Sequence, residues 1–225
     1  MTRQNAVFSA FVVFVAVIVV GVGGYLYLRS QAGGDRFAAC RGSAVAGKAA
    51  IGGPFTLTDG DGRTVSDEDV ITKPSLVYFG YTFCPDVCPL DSARNADAID
   101  LLDKRGLDAQ AVFISIDPGR DTPAVVKEFA ANFSPKMIGL TGTPEEVKAA
   151  SRAYKTYYKV HSPPADAAPG TKAYADWQKY YLVDHSTFTY LVLPRAGFVD
   201  FFKREDTPQQ IADRVACFVG AAKAN

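Results

Sequence analysis

Apolar and polar positions divide this chain into a membrane-length run, a stretch of small residues and a patterned domain. From Ala6 to Leu28 no residue carries a charge, and Arg3 and Arg29 flank the run. At ~1.5 Å per residue a helix of that length crosses the ~30 Å hydrocarbon layer, and the run exceeds the apolar region of a cleaved signal, which is the alternative. Residues 1–29 therefore read as one N-terminal transmembrane helix that stays in place as an anchor. Tyr25 and Tyr27 sit at its interfacial edge. Residues 30–51, rich in Gly and Ala, read as a tether, and residues 52–225 as one folded domain.

Within that domain, Phe55 to Thr58 and Arg63 to Ser66 bracket Asp59-Gly60-Asp61-Gly62, the pattern of a β-hairpin with an Asp-Gly turn. A β-favouring run from Ser75 to Phe79 leads into Cys84-Pro85-Asp86-Val87-Cys88-Pro89. Pro89 suits the first turn of a helix whose apolar positions are Leu90, Ala93, Ile99, Leu101 and Leu102. Ala111 to Ile116 is a continuous apolar run, as in a strand buried on both faces of a parallel sheet. Thr122-Pro123 caps a helix through Val125, Val126 and Phe129, and Met137 to Leu140 is a further strand. Thr143-Pro144-Glu145-Glu146 opens a helix ending near Tyr158. Val160 to Ala173, broken by prolines and a glycine, reads as a surface insertion. Phe188 to Leu193 and Phe198 to Phe202 form a terminal hairpin, and a last helix starts at Thr207-Pro208 with Ile211, Val215 and Phe218 inward. The order predicts an α/β, thioredoxin-like fold with an added N-terminal β-hairpin, preceded by the transmembrane helix.

Twenty-four basic and 24 acidic residues cancel. The charge balance carries no electrostatic signature of a nucleic-acid partner. Basic residues lie on both sides of the anchor, so charge alone does not favour an inside N-terminus. Placing the domain outside the cytoplasm follows from its chemistry.

That chemistry centres on Cys84 and Cys88. A helix N-terminus stabilises a thiolate, and four residues of separation bring two sulfurs to one side of a coiled segment. The pair can converge on one metal ion or close as a disulfide. His185 precedes the strand Thr187 to Leu193, in the loop that faces the cysteines in thioredoxin-like relatives, where an imidazole completes an S₂N donor set suited to copper. A backbone-satisfied buried histidine is the alternative reading, and the cysteine pair favours ligation. His161 reads as a solvated loop residue. A structural zinc site ordinarily wants a fourth ligand, and none suggests itself. Cys40 and Cys217 can pair in an oxidising compartment, but four cysteines allow three connectivities, and Cys217 is expected as a free, small, buried helix residue. Asp86 reads as a turn former, and Asp117, Arg120 and Asp121 as braces of the following loop.

Tyr81-Thr82-Phe83-Cys84-Pro85-Asp86-Val87-Cys88-Pro89, then Asp117-Pro118-Gly119-Arg120-Asp121-Thr122-Pro123, then Asp184-His185-Ser186 resemble the Sco/SenC proteins. The resemblance runs from about Gly52 to the C-terminus and includes the anchor. It implies a copper metallochaperone of the bacterial inner membrane, single-pass, with its domain in the periplasm, or of the mitochondrial inner membrane. Cys84, Cys88 and His185 would be its copper ligands. The implied partners are the CuA-bearing subunit of cytochrome c oxidase and an upstream copper donor or thiol reductant. The alternative function is a thiol–disulfide oxidoreductase using Cys84 and Cys88 as its redox pair. The three-residue spacer and the absence of a proline in the facing loop weigh against that alternative.

Overall fold

A computed structural model of the chain describes residues 15–26, 35–41 and 51–223. They belong to two compact units divided between Ala39 and Cys40. In the first, residues 15–26 form the described part of helix α1, its side chains exposed. Among the described residues no helix is long and apolar enough to cross a membrane. The rest of the expected anchor, and most of the expected tether, lie outside them.

The second unit is built on a seven-stranded sheet. Its strands are β1 (Thr56–Asp59), β2 (Thr64–Ser66), β3 (Ser75–Gly80), β4 (Gln110–Ser115), β5 (Met137–Thr141), β8 (Thr189–Leu193) and β9 (Gly197–Phe202). Their order is β2-β1-β5-β4-β3-β8-β9. Strands β3, β4 and β5 are mutually parallel, whereas β1 and β8 join antiparallel on either side. Every residue of β3 and β4 is buried, as the unbroken apolar runs predict for parallel strands covered on both faces. Helices α2 (Asp67–Val70), α3 (Val87–Lys104), α4 (Pro123–Phe133), α5 (Pro144–Ala153), α6 (Lys172–Tyr180) and α7 (Pro208–Lys223) complete the unit with a two-stranded sheet of β6 (Tyr158–Val160) and β7 (Val183–His185). Helices α3 and α7 pack side by side, and α4 lies against β4 and β5. This is the expected thioredoxin-like plan with its added hairpin.

Four local expectations are corrected. Helix α5 stops at Ala153 rather than near Tyr158, because Lys155 adopts a left-handed conformation at φ 55° and turns the chain into β6. Helix α6 and the β6–β7 pair were not anticipated; Thr171 caps α6 by accepting from the Tyr174 amide. Leu90 is 59% exposed, while α3 buries Asp91, Arg94 and Asn95 beside Ile99 and Leu102, so its inner face is partly polar. That face is held by ion pairing and hydrogen bonds: Arg94 lies 3.3 Å from Asp91, and Arg94 and Asn95 donate to the Thr189 hydroxyl.

The fourth correction concerns Cys217, which is not free. It forms a disulfide with Cys40 across a sequence separation of 177 residues, the Cα atoms 5.6 Å apart. Cys217 occupies an exposed position of α7 rather than the expected buried one, beside the first residue of the unit, and the cross-link removes a very long loop from the unfolded ensemble. Replacing both cysteines by serine should lower the unfolding free energy by roughly 2–4 kcal/mol in urea titrations. A loss below about 0.5 kcal/mol, the range of a neutral surface change, would contradict a stabilising role for this bridge.

Candidate metal centre

Strand β3 delivers the cysteines. Its last residue, Gly80, accepts a backbone hydrogen bond from Ile116 at 2.8 Å, and the chain then turns through residues 81–86 into α3. Asp86, the N-cap, makes no side-chain capping bond. The Cys84 sulfur takes that position instead, accepting from the Cys88 amide at 3.4 Å. A sulfur thus caps the positive end of an 18-residue helix. The Cys88 sulfur is packed against the end of β3. A Cβ on Gly80 would stand 3.0 Å from that sulfur and 2.8 Å from the Tyr78 ring, so only glycine leaves room for the thiol.

Strand β7 delivers the histidine. Tyr158 pairs with His185 across the small sheet, and Ser186 donates to the Tyr157 carbonyl at 2.9 Å. Ser186 is thereby held toward β6, and β8 begins only at Thr189 rather than at Thr187. His185 accordingly ends a strand instead of sitting in a loop. Its Nδ1 lies 2.9 Å from the Ser186 carbonyl oxygen. A carbonyl only accepts, so in the neutral ring the proton sits on Nδ1 and the Nε2 lone pair is free. That Nε2 lies 3.3 Å from the Cys88 sulfur. The rings of Tyr78 and Tyr81 stand edge-on to the imidazole at 6.2 and 5.8 Å.

The donor atoms of Cys84, Cys88 and His185 all lie within 4.8 Å of one another. Neither cysteine is in a disulfide, and both are buried. The Cys84 thiol is pulled far below the usual range, to about 3, chiefly by the hydrogen bond from Cys88, with the Asp86 and Cys88 amides adding to it against the opposing effect of burial. Cys88 is pushed up, first by donating to Cys84 and then by burial. The pair therefore divides into a thiolate at Cys84 and a protonated thiol at Cys88. Behind them the Tyr78 hydroxyl donates to Asp91 at 3.1 Å, and burial raises the pKa of that carboxyl.

Two sulfurs and one imidazole nitrogen form a donor set for a soft, thiophilic ion. Among the described residues this group has three donors, whereas a closed structural zinc site takes four. The structure thus brings together the three residues singled out in the sequence. His161 lies apart, its Nε2 2.8 Å from the Asp184 carboxylate, and Asp86 is exposed. Sequence reasoning gave no role to Tyr78, Tyr81 or Asp91. The signal for Asp91 was present in the polar run Asp91-Ser92 and Arg94-Asn95, which an amphipathic helix would not bury.

The chain matches the SCO1/SenC family over residues 43–220. Protein SenC of Rhodobacter capsulatus is 54% identical over 205 residues, covering 91% of this chain and 86% of that protein. The mitochondrial SCO1 homolog 1 of Arabidopsis thaliana is 42% identical over 172 residues, 76% of this chain but 47% of the relative, so the match spans about half of that protein. Among solved structures, that of Arabidopsis thaliana ScoI with copper bound aligns with a TM-score of 0.66 at 39% identity, covering 76% of this chain and 99% of the other.

With the Cys84 pKa near 3, its reaction with iodoacetamide in the reduced, metal-free protein should change less than about twofold between pH 8 and pH 6, where an ordinary thiol slows by nearly two orders of magnitude. Mass spectrometry of the alkylated peptide gives the rate; a profile falling like that of a free thiol would contradict the charge division. Gly80→Ala should displace the Cys88 sulfur and expose it, accelerating alkylation of Cys88 relative to the parent protein.

Proposed function

This chain belongs to the SCO1/SenC family, and we propose that it is a membrane-anchored copper metallochaperone that serves assembly of the CuA centre of cytochrome c oxidase. One observation carries the reading: two sulfurs and an imidazole nitrogen converge within 4.8 Å. Copper is cargo in this scheme. Cys84, Cys88 and His185 hold it, and with three protein donors the ion keeps a position open to an incoming ligand of the recipient, as transfer by ligand exchange requires. Both sulfurs must be thiolates when metal is bound, so loading releases the Cys88 proton and affinity weakens as pH falls. The similarity to Arabidopsis thaliana ScoI, whose structure holds copper, supports this choice of ion.

The recipient is the CuA-bearing subunit, and a copper donor or thiol reductant acts upstream. Phe83, Leu90 and Phe188, close in sequence to Cys84, Cys88 and His185 respectively, are 50%, 59% and 40% exposed and supply apolar surface for such a partner. Residues 1–29 anchor the chain in the inner membrane, residues 30–51 tether it, and residues 52–225 work in the periplasm. The Cys40–Cys217 disulfide supports that placement, since such bonds persist in oxidising compartments.

The second reading, a thiol–disulfide oxidoreductase, is favoured by the depressed pKa of Cys84 beside a protonated Cys88. Copper and a disulfide compete for the same two sulfurs, so one site can serve both reactions. The reduced full-length chain should bind one copper ion. His185→Ala should weaken binding by more than the roughly 10–100-fold typical of losing an outer-sphere partner. Equal affinity in the variant would refute the ligand assignment, and rapid turnover of a model disulfide by the copper-free protein would favour the oxidoreductase.

A further inference from the structure

The donors reach the site on two separate pieces of chain, the turn at residues 81–88 and the arm at residues 181–186. The loop between β4 and α4 touches both. Asp121, fully buried, accepts from the Thr82 amide at 3.0 Å, from the Thr82 hydroxyl at 2.6 Å and from Ser115 at 2.5 Å. It fixes the cysteine turn to the end of β4. Asp117, also buried, accepts from Tyr181 and, at 2.6 Å, from Arg120. The Arg120 guanidinium lies 3.6 Å from the centre of the Tyr181 ring and 4.7 Å from that of Phe83, and donates to the Lys179 carbonyl at 3.2 Å. One side chain is thus stacked between the residue before Cys84 and the residue that leads into β7. The Val183 amide, donating to the Tyr81 hydroxyl at 3.3 Å, is a further polar link between turn and arm, beside the contact of the Cys88 sulfur with His185.

Resting on the ligand assignment proposed above, we infer that Arg120, seated on Asp117, is a positioning residue that locks the histidine arm onto the cysteine turn. It touches no donor atom. Its planar face clamps Tyr181 against Phe83, and its charge offsets the buried Asp117 carboxylate that orients the Tyr181 hydroxyl. Without it the two cysteines keep their geometry through Asp121 and the helix end, while the arm that carries His185 loses the stack that ties Tyr181 to Phe83. The consequence is selective: nitrogen ligation is lost before sulfur ligation.

The test loads the full-length chain with Cu(II) and reads sulfur-to-copper charge-transfer absorption, nitrogen hyperfine coupling by electron paramagnetic resonance, and affinity by competition with a chelator. Arg120→Met should keep the charge-transfer band, lose or weaken the nitrogen coupling, and bind copper about 10–100-fold more weakly. Arg120→Lys, which keeps the charge but not the planar stack, should recover part of the loss. Tyr181→Phe, which keeps the ring and loses the bond to Asp117, should move in the same direction by less. Because Arg120 acts through His185, adding Arg120→Met to His185→Ala should cost no further affinity. Additive losses in that double variant, or full nitrogen coupling in the Arg120 and Tyr181 variants with only a lowered thermal midpoint, would overturn the inference. If Arg120→Met fails to fold, Arg120→Lys and Tyr181→Phe decide by the same readouts. Absence of nitrogen coupling in the parent protein would overturn the ligand assignment itself, and with it this inference.

Discussion

The site depends on one shared proton. Cys88 is buried at the end of β3, where a second negative charge is costly, and Cys84 sits where helix amides favour one. The proton stays on Cys88 and the charge on Cys84. The geometry that enforces this division includes a strand ending in glycine and a turn into a helix whose N-cap residue leaves the capping role to sulfur. A soft cation taking the place of that proton finds its ligands already converged, so little reorganisation is needed to bind it.

The rest of the unit holds the two halves of this arrangement in register. The parallel strands β3 and β4 form the buried floor, and the loop after β4 returns over the cysteine turn with two buried carboxylates. Beneath, the Tyr78–Asp91–Arg94 chain of contacts places charge within the core, where the Tyr78 hydroxyl and Arg94 both meet the Asp91 carboxyl. These polar groups are expensive to bury singly, and their network fixes one orientation of α3 against β8.

Much of this was legible in the sequence. Alternation and turn chemistry located β1 and β2, and unbroken apolar runs located β3 and β4. Thr122 and Thr143, each followed by proline, marked the starts of α4 and α5. What escaped was set by tertiary contact rather than local pattern. The β6–β7 strands are three residues long and carry no periodicity of their own, so their pairing, and the histidine at its end, emerges only when the chain returns. The four cysteines allowed three connectivities, and the fold, which brings the Cα atoms of Cys40 and Cys217 to 5.6 Å, decides among them. Asp117, Arg120 and Asp121 were visible as a charged turn, yet the distant Thr82 and Tyr181 give them their roles.

The most direct test of the central claim is X-ray absorption at the copper edge of the reduced, copper-loaded full-length protein. The account predicts a first shell of two sulfurs and one imidazole nitrogen per copper, at one copper per chain. A shell with sulfur alone, or copper bound without sulfur, would contradict it.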